Sequence, residues 1–412
     1  MSDWHSRTLQ EIISTIESGT RPKGGVRIGE NSEGVPSYGG ENISMNGGML
    51  YDSVRMVPTS FATEMRRGVL SDKDVLINKD GANTGKSAIY RKPAGEKFAT
   101  INEHLFLLRC NQGIAEQEFL YHFLNSEFGK SQIAKVITGS AQPGLNSTFP
   151  EFVRIDLPPL PEQKKIAEIL SGIDALIASI ILKKIKIIQQ RQSTAESLFF
   201  CDSSGKNSFT SYALQDLSLG RFGIVDGPFG SNLKSEHYRE KGVPVIQSGF
   251  VTRGKFFANE YKYVDEEKYQ EQIRSSVSGG DIVMAKIGAN AGRSALMPLG
   301  HPTGILAGNC LKITPDEELV HREYLLGLIE QLYLSGKLAN ITNTTAQPAV
   351  SMSKLKKFLV SIPDIASQEK VVDCLRSLDG VTGALEKSEK KLICLKDAFA
   401  SDLLSGRKRV SI

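Results

Sequence analysis

The stretch GANTGKSA at residues 81–88 returns as GANAGRSA at residues 288–295, with six of eight positions identical and Lys against Arg at a seventh. Further matches keep the same order at offsets of 205 to 208 residues: TLQEI at 8–12 with ALQDL at 213–217, GVP at 34–36 and 242–244, AQP at 141–143 and 346–348, and Pro158 and Gln163 with Pro363 and Gln368. Chance could supply one such match, but hardly five in register. We therefore interpret the chain as a tandem duplication with variable loops between its landmarks.

Each copy begins with a region rich in glycine and turn signals. Short runs typical of β-strands occur there, at 74–77, 87–90 and 104–108 in the first copy and at 281–285, 294–297 and 310–313 in the second. Apolar residues spaced by three and four predict helices over residues 118–128 and 322–334. The predicted fold class of this region is α+β, with short strands and long loops.

The second part of each copy, after Pro161 and Pro363, is a long segment without an interior proline. Its apolar residues alternate between spacings of four and three, which is typical of long helices that pack along a shared stripe like a coiled coil. About 36 helical residues would span on the order of 54 Å, so we predict spacers between domains rather than ordinary core helices. Eight residues of these stripes are predicted to pack against partner helices: Ile166, Leu170, Ile173, Ile177, Val371, Leu375, Leu378 and Leu385.

The predicted division of the chain is therefore fourfold. It comprises a first α+β domain (1–157), a central spacer helix (158–205), a second α+β domain (206–362) and a distal spacer helix (363–412).

No catalytic or metal site is predicted. The glycine loop resembles a phosphate-binding loop but has three residues, rather than four, between its first glycine and Gly-Lys-Ser, and the second copy has Arg293 in place of the lysine. The six histidines form no H-x-x-H pair, and the five cysteines are scattered without a C-x-x-C motif. The sequence therefore offers no chemistry of its own.

The net charge of +4 is only mildly basic, and it favours a nucleic-acid partner weakly. No apolar run approaches the roughly 20 residues that a membrane helix needs. The N-terminus, MSDWHSRTLQEII, lacks a basic region followed by a cleavable apolar stretch. We expect a cytoplasmic protein without a membrane partner.

The repeated loops suit contact with DNA. A Gly-x-x-Gly-Lys/Arg-Ser loop can offer backbone N–H groups and a cation to a phosphate, although it can also be a plain turn in which glycine supplies positive φ. The AQP glutamines can pair with an adenine edge or cap buried backbone. The stretches between landmarks are basic and differ between copies, as expected of modules that read different bases, although drifting surface loops are an alternative.

The predicted DNA-contact residues combine these loops with the basic stretches. They are Arg21, Lys23, Lys79, Asn83, Lys86, Ser87 and Gln142 in the first copy, and Lys234, Gln247, Arg253, Lys255, Lys286, Asn290, Arg293, Ser294 and Gln347 in the second.

With both copies in view, the chain resembles the specificity subunit of type I restriction–modification systems over essentially its full length. The resemblance is carried by the duplication, the AQP loops and three strings: IDLPPLPEQKKIAEILSGID at 155–174, DGPFGSNLKSEHYREKGVPVIQSG at 226–249 and GDIVMAKIGANAGRSA at 280–295. The first string, a Pro-rich turn and Glu-Gln leading into a helix, is the most specific of the three.

This resemblance implies two target-recognition domains joined by two long antiparallel, coiled-coil-like helices with pseudo-two-fold symmetry. Each domain would read one half of a bipartite site in double-stranded DNA. Two methyltransferase subunits would bring S-adenosylmethionine, and restriction subunits, where present, would bring ATP and Mg²⁺. The chain itself would hold no cofactor.

Three alternatives remain open from the sequence. The chain could be the specificity module of another phage-defence or type IIG-like methyltransferase whose catalytic domains lie on a separate chain. It could be a coiled-coil adaptor that makes no DNA contact. An independent enzyme is the last alternative, and turnover by the isolated chain would revive it.

Overall fold

The computed structural model describes residues 4–23, 34–44, 47–139, 143–200, 209–252, 254–343 and 347–411. Two predicted DNA-contact residues, Gln142 and Arg253, lie outside the described residues. The chain divides into two compact units, Met1–Leu182 with Leu385–Ile412 (unit one) and Lys183–Ala384 (unit two). Each unit holds one copy of the duplicated domain and a part of each long helix, and the fourfold division stays a prediction.

The first copy contains nine strands and four helices among its described residues. The strands are β1 (His5–Thr8), β2 (Ile13–Ser18), β3 (Val35–Tyr38), β4 (Arg55–Val57), β5 (Val75–Asn78), β6 (Ser87–Ile89), β7 (Thr100–Ile101), β8 (Leu105–Cys110) and β9 (Arg154–Leu157). The helices are α1 (Leu9–Ile12), α2 (Thr59–Glu64), α3 (Gln117–Asn125) and α4 (Glu127–Val136).

The first long helix, α5 (Leu160–Phe200), precedes the second copy, and the second long helix follows that copy. The strands of the second copy are β10 (Thr210–Ala213), β11 (Ile224–Asp226), β12 (Val243–Ile246), β13 (Lys262–Val264), β14 (Ser276–Val277), β15 (Ile282–Ala285), β16 (Ser294–Leu296), β17 (Gly304–Leu306), β18 (Cys310–Ile313), β19 (Thr342–Asn343), β20 (Ala349–Val350) and β21 (Leu359–Ile362). The remaining helices are α6 (Glu266–Glu271), α7 (Arg322–Leu334), α8 (Met352–Lys356) and the second long helix, α9 (Ile365–Leu404).

Among the described residues, nine strands of the second copy repeat the topology of the first, and β14, β19 and β20 are additional. A four-stranded antiparallel sheet has the order β2-β8-β5-β6 in the first copy and β11-β18-β15-β16 in the second. A second sheet has the order β4-β3-β7 in the first copy and β13-β12-β17-β14 in the second, with β3-β7 and β12-β17 parallel. The ribbons β1-β9 and β10-β21 join the two ends of each domain. The duplication and the predicted α+β class are confirmed.

The strand β5 shows why a short apolar run becomes the centre of the domain. Every residue of β5 is buried, because both faces of its sheet are covered. Val75 and Ile77 share a core with Phe119 of α3, whereas Leu76 lies in a separate core with Tyr38. The alternation of side chains along a strand sends neighbouring residues into these two cores.

The predicted helix over residues 118–128 is two helices. Helix α3 ends at Asn125, and Ser126 then caps the start of α4, where its Oγ accepts a hydrogen bond from the Gly129 amide at 3.0 Å. A serine in extended backbone before a helix is a favoured N-cap, so the chain restarts rather than continues. Helix α7, the counterpart of α3 in the second copy, runs over 322–334 as predicted.

The long helices pair antiparallel within each unit. In unit one, Ile166 shares a core with Leu404, and the Asp174 carboxylate lies 2.6 Å from the Lys396 ammonium. In unit two, Phe199 shares a core with Val371, and the Arg191 guanidinium lies 2.6 Å from the Asp379 carboxylate. The two ion pairs occupy equivalent positions of the duplication, because 174 and 379, like 191 and 396, are 205 residues apart. The predicted antiparallel helices are confirmed.

Four of the eight apolar residues predicted to pack against partner helices, Ile166, Leu170, Val371 and Leu375, belong to the chain's own cores. Five of the eight are buried: Ile166, Leu170, Ile173, Val371 and Leu375. The other three, Ile177, Leu378 and Leu385, are half-buried. A side chain that is already more than nine-tenths buried has little surface left to bury against a partner, so the prediction does not fit these five. The large apolar side chains that the long helices expose are Leu176, Leu182, Ile185, Ile188, Val381, Ile393 and Leu395.

Candidate nucleic-acid interface

The repeated glycine loops are tight hairpins that join β5 to β6 and β15 to β16. Gly81 and Gly85 have φ of 79° and 84°, and Gly288 and Gly292 have φ of 102° and 97°, which favours glycine at these positions. The Gly85 amide donates to the Asn78 carbonyl at 2.8 Å, as the Gly292 amide does to the carbonyl of Ala285. The turn interpretation of the motif is thus correct for the backbone.

The hairpin amides are engaged within the chain. The Lys86 amide donates to the Asn83 carbonyl at 3.0 Å, and the Arg293 amide donates to the Asn290 carbonyl at 2.9 Å. A donor already bonded to a carbonyl offers little to a phosphate oxygen. The Lys86 and Arg293 amides are therefore not available to a phosphate, whereas the side chains of both residues are.

The structure brings the two repeated loops together in each unit. The Gly81 amide donates to the Pro143 carbonyl at 3.2 Å, and the Gly288 amide donates to the Pro348 carbonyl at 2.9 Å. The Leu145 amide reaches the Lys79 carbonyl at 2.6 Å in unit one. We call residues 79–87 with 143–145, and 286–294 with 347–350, the hairpin clusters of units one and two.

The serines of the hairpin clusters are buried. Ser87 Oγ accepts a hydrogen bond from Asn125 Nδ2 at 3.0 Å, and Ser294 Oγ donates to the Gly292 carbonyl at 3.1 Å. Both hydroxyls support the hairpin, and they have no exposed surface with which to meet DNA. We leave these two predicted residues out of the interface.

The remaining side chains of the hairpin clusters lie at or near the surface. In unit one, Lys86 Nζ donates to Asn83 Oδ1, and the Asn83 amide group donates to the Gly40 carbonyl at 3.4 Å. In unit two, the guanidinium of Arg293 lies 4.8 Å from the Tyr333 ring centroid, in a cation–π arrangement that holds its plane. Asn290 and Gln347 are exposed.

The flanking basic residues are mostly exposed. Arg21 pairs with Glu103 at 3.1 Å, and Lys234 lies 3.8 Å from Glu236. Exposed pairs of this kind are weak, so both cations can exchange their partners for phosphates. Lys23 and Lys255 are also exposed, whereas Gln247 is half-buried at the start of a turn.

The paired lysines Lys79 and Lys286 are half-buried and have different neighbours. Lys79 Nζ donates to the Ser18 hydroxyl at 3.2 Å, whereas Lys286 Nζ lies 2.7 Å from the Asp226 carboxylate. Neither Ser18 nor Asp226 was among the residues predicted from the sequence. Comparison of the two copies could have found them, because they stand at one position of the duplication and differ in charge.

A buried histidine in unit one has the neighbours of a hydrolytic triad without its geometry. His122 Nε2 lies 2.9 Å from Ser171 Oγ, but its Nδ1 is 3.9 Å from the Asp174 carboxylate, which Lys396 engages at 2.6 Å. Burial, and then the Lys396 charge, lowers the pKa of His122 to about 3. The side chain is a neutral part of the core, and its counterpart in the second copy is Gly327.

The buried His122 makes the stability of unit one dependent on pH. Its pKa is depressed in the folded state, so below its ordinary pKa of 6.5 the unfolded chain binds a proton that the folded chain does not. Stability is therefore complete above pH 6.5 and falls toward pH 3, by about 1.4 kcal/mol per pH unit. We expect a loss of about 2 kcal/mol from pH 6.5 to pH 5 relative to His122→Gln. Urea denaturation of both proteins across this range measures it, and parallel pH curves would contradict it.

Among the residues that the structure describes, no three His, Cys, Asp or Glu side chains are placed to hold a metal ion together. None of the described helices combines the length and apolar character that crossing a membrane requires.

The sequence matches a known family. The model of the type I restriction modification DNA specificity domain matches residues 1–190 and 230–394. The MjaVIII type I restriction enzyme specificity subunit of Methanocaldococcus jannaschii is 24% identical over 99% of this chain and 93% of its own length. The StySPI type I specificity subunit of Salmonella potsdam is 20% identical over 98% of this chain and 88% of its own length.

Solved structures share the fold. The S subunit of a type I restriction–modification system from M. genitalium has a TM-score of 0.57 at 13% identity, covering 98% of this chain and 96% of its own. A chain from a study of the assembly and conformational transition of the type I R-M system has a TM-score of 0.60 at 16% identity, covering 97% of each chain. This chain therefore belongs to the specificity-subunit family of type I restriction–modification systems, and it is a non-catalytic subunit that recognises DNA sequence.

Proposed function

We propose that each unit reads one half of a bipartite DNA site with its hairpin cluster facing the duplex. The observation that carries this proposal is the equivalence of the two hairpin clusters, in which Gly81 meets Pro143 as Gly288 meets Pro348. The segments around these clusters differ in sequence between the copies. Two domains that have the same backbone structure but present different side chains are suited to read different bases.

The surface side chains divide by chemistry into two roles. Lys86 and Arg293, with the exposed Arg21, Lys23, Lys234 and Lys255, supply positive charge to phosphates and set the register on the duplex. Asn83, Asn290, Gln247 and Gln347 carry amide groups, which can pair with an adenine edge. Gln142 and Arg253 keep their predicted contact roles in this proposal.

The proposed assembly places two methyltransferase subunits on the long helices, where apolar side chains such as Leu182, Ile185 and Ile188 are exposed. These subunits bring S-adenosylmethionine, and restriction subunits bring ATP and Mg²⁺. The assembly works in the cytoplasm, where its DNA substrate lies. Association with subunits that close around the duplex also fits the modest net charge, because the phosphate contacts are then shared.

Mapping of N6-methyladenine in host DNA tests the proposal directly. Co-expression with the methyltransferase gene should produce methylation at a two-part motif with a fixed gap, and deletion of this chain should abolish it. Replacement of residues 206–362 by the same domain of a relative keeps β10 paired with β21 and should change one half of the motif only. Unchanged methylation without this chain would refute the proposal.

The adaptor alternative has a test of its own. Because Lys86 and Arg293 sit at equivalent hairpins, alanine at both positions should weaken DNA binding by the full chain. Unaltered binding in the double variant would favour an adaptor that does not contact DNA through these hairpins.

A further inference from the structure

Ser18 and Asp226 occupy the same position in the two copies. Ser18 ends β2 opposite Phe106 of β8, and Asp226 ends β11 opposite Leu311 of β18. Phe106 and Leu311 are themselves opposite equivalent residues of β5 and β15. Ser18 and Asp226 therefore occupy the same position of two equivalent sheets but differ in chemistry, because one side chain is a hydroxyl and the other is a carboxylate.

In unit two, Asp226 and neighbouring side chains surround the ammonium of Lys286. One carboxylate oxygen of Asp226 lies 2.7 Å from Lys286 Nζ, and the other lies 3.0 Å from the Arg274 guanidinium. The Phe229 ring covers the ammonium at 4.0 Å. The side chains of Lys286 and Asp226 are only 13% and 14% exposed. Separation of a close pair at this depth would leave the carboxylate short of a partner, so Lys286 is held in place.

In unit one, Lys79 faces a neutral partner. Its ammonium donates to the Ser18 hydroxyl at 3.2 Å. The carboxylates adjacent to its strand are engaged elsewhere, since Asp80 pairs with His104 at 2.6 Å and Glu103 with Arg21 at 3.1 Å. Within the described ranges, no ion pair involves Lys79. The groups that contact its ammonium among the described residues, the Ser18 hydroxyl and the Phe106 ring at 5.4 Å, are neutral, so its charge is available to an anion from outside the chain.

We propose that the residue at this position decides whether the neighbouring lysine binds a DNA phosphate. Ser18 leaves Lys79 to contact the backbone of one half-site, whereas Asp226 retains Lys286 for the fold of unit two. This inference rests on the proposed function and adds an asymmetry to it. The half-site of unit one gains one phosphate contact that the half-site of unit two lacks, so its binding is the more sensitive to salt.

The salt dependence of DNA binding measures the number of such contacts. Each phosphate contact contributes about 0.9 to the slope of log K against log salt concentration on duplex DNA. With the full-length chain and one duplex, Lys79→Gln should reduce the slope by about 0.9, and the matched control Lys286→Gln should leave it unchanged. The reciprocal exchanges at the partner position give the stricter test, because they should change the slope in opposite directions. Ser18→Asp should reduce the slope by about 0.9, and Asp226→Ser should raise it by the same amount.

The outcomes separate this inference from the proposed function. Equal reductions for Lys79→Gln and Lys286→Gln would overturn the asymmetry while leaving DNA recognition intact. An unchanged slope for folded Asp226→Ser protein, checked by circular dichroism, would overturn the role given to Asp226. If the wild-type chain shows no salt-dependent binding to the duplex, the inference and the proposed function both fail.

Discussion

Replacement of Arg409 by methionine is expected to lower the free energy of unfolding of unit one by about 3 kcal/mol. The Glu162 carboxylate is buried, and it accepts hydrogen bonds from Arg409 at 2.6 and 2.7 Å and from Trp4 Nε1 at 3.4 Å. Methionine keeps the apolar stem of the arginine but removes the guanidinium. The carboxylate then stays buried with a single indole donor, and a buried charge stripped of its partner is costly.

The single tryptophan of the chain makes this prediction easy to measure. Trp4 donates to Glu162, so its fluorescence during urea denaturation reports on the affected site. Arg407→Met is the matched control, because Arg407 lies in the same tail and pairs with Asp402 at the surface. The control should cost less than about 0.5 kcal/mol. The double change Glu162→Met with Arg409→Met should recover much of the loss, because it removes both charges. A loss for Arg409→Met no larger than that of the control would contradict the prediction.

The duplication allowed much of the fold to be predicted. Once residues 81–88 and 288–295 are aligned, a predicted strand in one copy supports the matching strand in the other, and the three predicted pairs, β5 with β15, β6 with β16 and β8 with β18, are all present. The long helices were predictable because an apolar stripe over so many residues fits no other element. Their observed lengths, 41 and 40 residues, exceed the predicted helical length of about 36 residues only slightly, and both helices lie within the predicted segments 158–205 and 363–412.

The predictions that failed did so for one physical reason. An apolar sequence pattern shows that a face is buried, but it does not show which part of the structure covers that face. The stripe through Ile166 and Leu170 showed a buried face, yet it could not show that the chain's own α9 covers that face. Arg409 and Glu162 are 247 residues apart, so no local pattern connects them. Likewise, Lys79 and Lys286 are equivalent in the sequence, and only the tertiary fold places Asp226 beside Lys286.

The glutamines of the helix-entry landmarks, Gln163 and Gln368, fasten each long helix to its recognition domain. Both side chains are buried. Gln163 Oε1 accepts from the Glu116 amide at 2.9 Å, while its Nε2 donates to the Pro158 and Ile114 carbonyls at 2.8 and 3.1 Å. One side chain thus satisfies three backbone groups, of which the Pro158 carbonyl makes its bond in a buried position.

Gln368 makes the same three bonds in unit two. Its Oε1 accepts from the His321 amide at 2.8 Å, and its Nε2 donates to the carbonyls of Pro363 at 2.8 Å and Leu319 at 3.2 Å. The equivalence is independent of the DNA half-site that either unit would read. We infer that this role in the fold, rather than contact with DNA, explains why both copies retain glutamine here.

Replacement of Gln163 or Gln368 by methionine should therefore destabilise its own unit by about 3 kcal/mol. Each backbone group that loses its partner costs roughly 1–3 kcal/mol, and water that reaches some of these groups reduces the total. Gln10→Met, on the exposed side of α1, is the control and should change stability by less than about 0.5 kcal/mol. Hydrogen exchange resolved by peptide measures both units in one experiment: Gln163→Met should lower protection around 114–116, and Gln368→Met around 319–321. Losses of stability that are equal in size, each confined to the unit that carries the substitution, would show that each glutamine stabilises its own copy. A loss below about 1 kcal/mol in both variants would mean that water replaces the amide group, and the retention of glutamine would then point to a contact outside the chain.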